Sequence, residues 1–198
     1  MYLFNNNQLT PPFTHGCDLS WLSEDQINTQ KINSTLNNWL FDRGSLTTRL
    51  KQQCQHFEVI VLNAATGVLS PQEQQLFQDA SLTINFREVL LVCDGKPQVY
   101  ARSLIPENTI NSSNVGLRKL GNNSLGQILF QAPQAQRGAI EVTSFNQQSS
   151  LATLSKELGM PVTHDLWGRR SLFTLQQYPL LVSEVFLPGA LAYQELSR

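Results

Sequence analysis

Charge is scarce in these 198 residues: 15% are Asp, Glu, Lys or Arg, and 14 basic against 15 acidic residues leave a net charge of -1. So even a balance removes the basic footprint of a nucleic-acid-binding protein. Cysteine is scarcer still. Cys17, Cys54 and Cys93 are odd in number and contain no Cys-x-x-Cys, which excludes a full disulfide framework and a thiolate zinc site. No apolar run approaches the roughly 20 residues that span a bilayer. The opening Met1-Tyr2-Leu3-Phe4-Asn5-Asn6-Asn7 has neither a basic segment nor a long apolar one, so no signal peptide is expected. His15, His56 and His164 are scattered, without acidic or thiolate neighbours at ligand spacing, and no metal is expected. A Gly-x-Ser-x-Gly elbow, a P-loop lysine and a Rossmann glycine pattern are all missing. What remains is a soluble, reduced, cytoplasmic chain without a nucleic-acid or stable membrane partner. Its 41% apolar residues suffice for one substantial core.

Uncharged polar residues take the place of charge, with 20 Gln and 15 Asn. Residues 1–30 are polar and carry Pro11-Pro12 without periodicity, and are read as an arm with little structure of its own. Residues 31–198 are read as a single domain. Ile32, Leu36, Trp39 and Leu40 form a helical stripe, and Leu46 to Phe57 can hold a second short helix. Phe57 to Ala64 reads as a strand, and Ser70-Pro71 with Glu73 as a helix start. Two apolar runs joined by Asp94-Gly95 predict a hairpin over Leu82 to Ile105. Arg169 to Leu187 repeats the pattern around Gln176-Gln177-Tyr178-Pro179. Between the hairpins, Leu117 to Phe130 reads as helix, break and helix, Gly138 to Phe145 as a strand, and Ser149 to Gly159 as a helix closed by glycine. Four or five antiparallel strands with helices between them predict an α+β fold.

Charges interrupt both hairpins. A two-residue turn at Asp94-Gly95 pairs Cys93 with Lys96 and sets Arg87 opposite Arg102, a repulsive pair unless the face is wet or an anion lies between them. In Leu180-Leu181-Val182-Ser183-Glu184-Val185-Phe186-Leu187 a single carboxylate sits mid-strand, with Arg170 or Ser171 across from it. A buried Glu184 needs a partner or a raised pKa. Cys93, in an apolar strand, is read as an inert buried thiol. Gly121-Asn122-Asn123-Ser124-Leu125-Gly126 can offer backbone N–H groups to an anion at the helix that follows.

These segments resemble chorismate lyase. The likeness runs, in the family's order, through Asp42-Arg43-Gly44-Ser45-Leu46-Thr47-Thr48-Arg49-Leu50 and Arg87-Glu88-Val89-Leu90-Leu91-Val92-Cys93-Asp94-Gly95-Lys96-Pro97. It continues through Ala101-Arg102-Ser103-Leu104-Ile105-Pro106, Leu120 to Gly126 and Leu129-Phe130. It ends with Leu166-Trp167-Gly168-Arg169-Arg170-Ser171 and Pro179 to Pro188. Each block is weak alone; the ordered set from about Trp39 to Pro188 is specific.

The resemblance implies an antiparallel sheet with helices on one face and helical flaps over an internal ligand cavity. It implies conversion of chorismate to 4-hydroxybenzoate and pyruvate without metal or organic cofactor, feeding ubiquinone or plastoquinone synthesis; a monomer is expected. It assigns Arg87 to the ring carboxylate, backbone N–H groups of Leu46 and Leu125 to the same end, and Glu184 to the ring hydroxyl. Arg102 is added as a second cation, for the enolpyruvyl carboxylate or in support of Arg87. Ser124 stands where the family often has proline, a change expected to loosen that flap turn, and about 147–164 reads as an insertion. The rival reading is a binding module, because effector-sensing domains of GntR-type repressors share this fold and a similar Asp-Gly-x-Pro hairpin. Those domains normally follow a winged-helix domain, and the 38 residues before Trp39 are neither basic nor helix-turn-helix-like.

Overall fold

The computed structural model describes residues 9, 19–27, 32–79, 81–113 and 115–194. Seven strands, β1 (Phe57–Gly67), β2 (Ile84–Cys93), β3 (Lys96–Pro106), β4 (Ala135–Arg137), β5 (Glu141–Phe145), β6 (Leu166–Leu175) and β7 (Tyr178–Phe186), form one sheet. Its order is β1-β2-β3-β7-β6-β4, with β5 also on β6, and every pair is antiparallel. The α+β class stands, with more strands than the four or five expected; β4, three residues long, is too short to show a period.

The helices are α1 (Ser34–Leu40), α2 (Leu46–Lys51), α3 (Pro71–Phe77), α4 (Glu107–Ser112), α5 (Leu125–Gln131) and α6 (Ser150–Glu157). They cover both faces of the sheet, not one. On the first face Leu36, Trp39, Leu40, Leu46 and Leu50 pack with Val89, Leu91, Val99 and Phe186, and Leu125 and Leu129 pack with Ile105, Phe173 and Val182. On the second face Leu151, Leu154 and Leu158 of α6 meet Leu90, Val92, Tyr100 and Val185. Phe77 of α3 joins Ile84, Leu104 and Leu181 there. The segment 147–164 is thus a cover for the second face.

Part of the N-terminal arm has a place of its own. Leu22 bridges Val142 through two 2.8 Å backbone bonds, and Trp21 packs edge-on against Phe145. Much of the rest of the arm, including Cys17 and His15, lies outside the described residues.

Asp94 and Gly95 take φ of 49° and 74°, the left-handed pair a two-residue primed turn requires, and Cys93 pairs with Lys96 as expected. The Cys93 thiol is buried and meets the Cys54 thiol at 2.8 Å. Beyond the turn the ladder slips. Val92 pairs with Pro97 but Leu91 with Val99, so Gln98 is bulged out of register. Gln98 is held by its own polar groups, its carbonyl accepting from Leu187 N–H and its Oε1 from Leu191 N–H, both at 2.9 Å. The slip overturns the expected pair: Arg87 faces Ser103, and Arg102 faces Glu88.

Candidate active site

Side chains alternate across a strand, so partners in register share a face. One row on the first face runs Arg87, Ser103, Val182, Ser171, and the next runs Val89, Ala101, Glu184, Arg169. Arg87 on β2 and Glu184 on β7 are therefore separated by β3, about 10 Å laterally at two strand spacings, with only Ser103 and Ala101 between them. Small residues in the middle and charged ones at the margins make a shallow floor.

The roof comes from two short helices. Ser45 caps α2 and Ser124 caps α5, each accepting from a backbone N–H three residues on. The two helix starts meet directly: the Thr47 and Ser124 hydroxyls lie 2.5 Å apart, and Lys51 Nζ donates to Gln127 Oε1 at 2.8 Å. A Cβ on Gly126 would sit 3.5 Å from Thr47 Oγ1. Ser124 therefore ties the second flap down at two points; the loosening expected from it is not what the structure shows. Leu46 and Leu125 begin these helices, where N–H groups have no intrahelical acceptor.

A floor arginine grips the turn before each flap. Arg87 Nη2 donates to the Gly121 and Asn123 carbonyls at 2.9 and 3.0 Å, ahead of α5. Burial lowers the Arg87 pKa. Arg169 Nη1 donates to the Trp39 and Asp42 carbonyls at 2.9 and 2.8 Å, ahead of α2, while its Nε pairs with Glu184 Oε2 at 2.7 Å. Arg169 is 1% exposed. The partner of Glu184 is thus Arg169, neither of the two residues expected. Gln176-Gln177 alone forms the β6–β7 turn and Leu175 pairs with Tyr178; counting from that shorter turn reaches Arg169. Ser171, expected across from Glu184, pairs instead with Val182 and borders the site there; Thr47 and Arg137 also border it and were not expected as site residues.

Arg102 belongs to the other side. With Glu88 it faces the second surface of the sheet, where it forms a buried ion pair with Glu73. Glu73 is also the α3 capping-box residue, accepting from Ser70 N–H at 3.0 Å. Glu88 accepts from Tyr100 and from Asn63 Nδ2, and burial together with that carboxylate pushes the Tyr100 pKa up. Arg170 pairs with Glu141 at 2.7 Å on the same side. Arg102 is not a second cation for a ligand held over Arg87 and Glu184.

Among the described residues, no three His, Cys, Asp or Glu side chains gather as metal ligands, and no helix is long and apolar enough to cross a membrane.

Residues 17–196 match the family model for chorismate lyase. A probable chorismate pyruvate-lyase of Pseudoalteromonas translucida is 46% identical over 82% of this chain and 89% of its own. One from Shewanella amazonensis is 39% identical over 91% and 94%. Among solved structures, the effector domain of PhnF from Mycobacterium smegmatis matches with a TM-score of 0.53 at 14% identity, over 73% of this chain and 88% of that one. The ligand-binding domain of a putative GntR-family regulator from Bordetella bronchiseptica matches with 0.51 at 11% identity, over 72% and 90%. Identities this low speak to the fold alone.

Proposed function

The chain belongs to the chorismate lyase family, and from that premise we propose that it converts chorismate to 4-hydroxybenzoate and pyruvate over the Arg87–Glu184 floor. The observation that carries the reading is the shared face of Arg87 and Glu184, with small residues between them and two helix starts above. A planar acid fits such a slot with its carboxylate toward Arg87, which can grip it bidentately. The first-turn N–H groups of Leu46 and Leu125 complete that end, and the ring hydroxyl lies toward Glu184.

The bond that breaks joins C3 of the ring to the enolpyruvyl ether oxygen, and C4 loses its hydrogen as the ring becomes aromatic. The departing enolpyruvate becomes pyruvate when its methylene gains a proton. Aromatisation drives the step, so the chain's part is positioning and exclusion of water. Arg87 fixes the ring, and Glu184, held by Arg169, orients the C4 hydroxyl. The proton reaches the methylene either directly from C4 or by way of Glu184. Chorismate labelled with deuterium at C4 separates these routes: direct transfer carries the label into pyruvate, and exchange through Glu184 dilutes it. In this reading the protein is a cytoplasmic monomer without cofactor, and its product supplies a quinone pathway.

Mixing the purified protein with chorismate tests the proposal, with pyruvate and 4-hydroxybenzoate expected in equal amounts. The effector-domain folds favour a second reading, a sensor that binds a small acid without turnover. Chorismate bound but intact would select it.

A further inference from the structure

Besides the buried Arg87, a half-buried guanidinium on the site side lacks a carboxylate within ion-pair distance among the described residues: Arg137 of β4. It shares its face with its partner Phe173. Its Nε donates to Ser171 Oγ at 2.9 Å, and Ser171 ends the row that begins at Arg87. Three strand spacings, about 14 Å, separate the backbones at the two ends of that row, and Ser103 and Val182 lie between.

The Arg137 backbone is fixed by its neighbour. Gly138 N–H donates to Leu172 O at 2.8 Å, and a Cβ there would lie 2.9 Å from that oxygen. The guanidinium lies 5.5 Å from the Phe173 ring centre and 5.9 Å from that of Phe130, with Nη1 3.3 Å from Asp42 O. Burial, with the nearby Arg169 charge, pushes its pKa down to about 10, while Glu184 and Asp42 act against that shift. Charge bookkeeping on this side is simple. Arg169 pairs with Glu184 and Arg49 with Asp42; apart from the exposed Arg43, Arg87 and Arg137 are the positive charges left toward opposite ends of the floor.

We propose that Arg137 is the specificity-determining residue for the second, enolpyruvyl carboxylate of the substrate. The inference rests on the lyase reading above, and it takes the place that Arg102 cannot fill. A ring whose carboxylate is on Arg87 and whose C4 hydroxyl faces Glu184 carries its C3 substituent at the Glu184 end, beside Arg137. The product has lost that carboxylate and has nothing for Arg137 to hold.

The test compares the wild-type chain with Arg137→Gln and Arg137→Lys, reading kcat and KM for chorismate, Kd for 4-hydroxybenzoate by calorimetry, and the melting temperature. Losing a charge-assisted contact of about 1.5–3 kcal/mol corresponds to a roughly 10- to 150-fold fall in kcat/KM for Arg137→Gln, mostly through KM. Kd for 4-hydroxybenzoate should stay within about 3-fold, and Arg137→Lys should recover part of the loss. Unchanged chorismate kinetics in Arg137→Gln, or equal losses for chorismate and 4-hydroxybenzoate with a lowered melting temperature, overturn the assignment. Failure of the lyase reading is distinguishable, because it would show as absence of pyruvate with the wild-type chain.

Discussion

Thr47 on one flap and Ser124 on the other share a buried hydrogen bond of 2.5 Å between their hydroxyls. Two helices seven residues long or shorter are marginal alone, and this bond makes each the other's support. In the proposed enzyme, opening one flap means breaking it. Thr47→Val removes the bond and spares both helix caps. A net loss of about 0.5–1.5 kcal/mol should raise the Kd for 4-hydroxybenzoate roughly 2- to 12-fold. Where product release limits turnover, kcat should rise and the first-turnover burst of 4-hydroxybenzoate should shrink. A burst unchanged in Thr47→Val would place the slow step elsewhere.

Arg87→Gln removes the proposed carboxylate grip and both bonds to the turn before α5. The expected loss is about 1.5–3 kcal/mol, a 10- to 150-fold weaker Kd for 4-hydroxybenzoate. Calorimetric titration at wild-type affinity would refute the assignment of Arg87 to the carboxylate.

Arg169→Met strands the half-buried Glu184 carboxylate without its cation. Breaking a buried pair from one side costs about 3–5 kcal/mol, and the urea midpoint should fall accordingly. Adding Glu184→Gln to that variant should restore part of the loss. A double variant less stable than Arg169→Met alone would contradict the pairing.

Arg102→Gln acts on the far side of the sheet. It leaves Glu73 buried without its partner and weakens the start of α3, so the melting temperature should drop. Relative affinities for chorismate and 4-hydroxybenzoate should be unaffected. A selective loss of chorismate affinity would return Arg102 to the site.

Asp42 gives the first flap a dependence on acid. Partial burial raises its pKa, but the Gly44 N–H at 2.8 Å, the Arg49 pair at 2.8 Å and the Arg169 charge outweigh that, and the net shift is downward. A depressed pKa means that the contribution is present above the unfolded value of about 3.9 and is lost as pH falls through the lower folded value. Unfolding midpoints below about pH 4 should therefore fall more steeply for wild type than for Asp42→Asn. Parallel curves would remove Asp42 from the acid response.

Hairpins and helix starts were legible in the chain because each carries a local chemical cue. Asp94-Gly95 supplies the left-handed turn, and Ser70 with Glu73 supplies both halves of a capping box. Register was not legible, because a bulge leaves the alternation of apolar and polar residues intact on either side of it. Gln98 alone moved Arg102 from the site face to the reverse one. The partner of Glu184 depended on whether Tyr178-Pro179 counted as turn or strand; Pro179 lies beyond the stretch of β7 that pairs with β3, so its missing N–H leaves that ladder intact. Arg137 escaped notice because β4 is three residues long, and its place on the site side comes from pairing with β6, which no local pattern encodes.

Gln98 behaves as a phase shift in β3. Every side chain from Val99 onward owes its inside or outside position to the exclusion of that one residue from the ladder, since a period of two has only two settings. Drawing Gln98 into the regular ladder opposite Leu91 would swing Arg102 onto the floor opposite Arg87 and send Ala101 and Ser103 to the reverse side among Glu73 and Glu88. The slot would fill with two facing guanidiniums, and the carboxylates beneath would lose their cation, without a change in any residue that touches a ligand. In this hairpin, the bulge is a stricter constraint than composition.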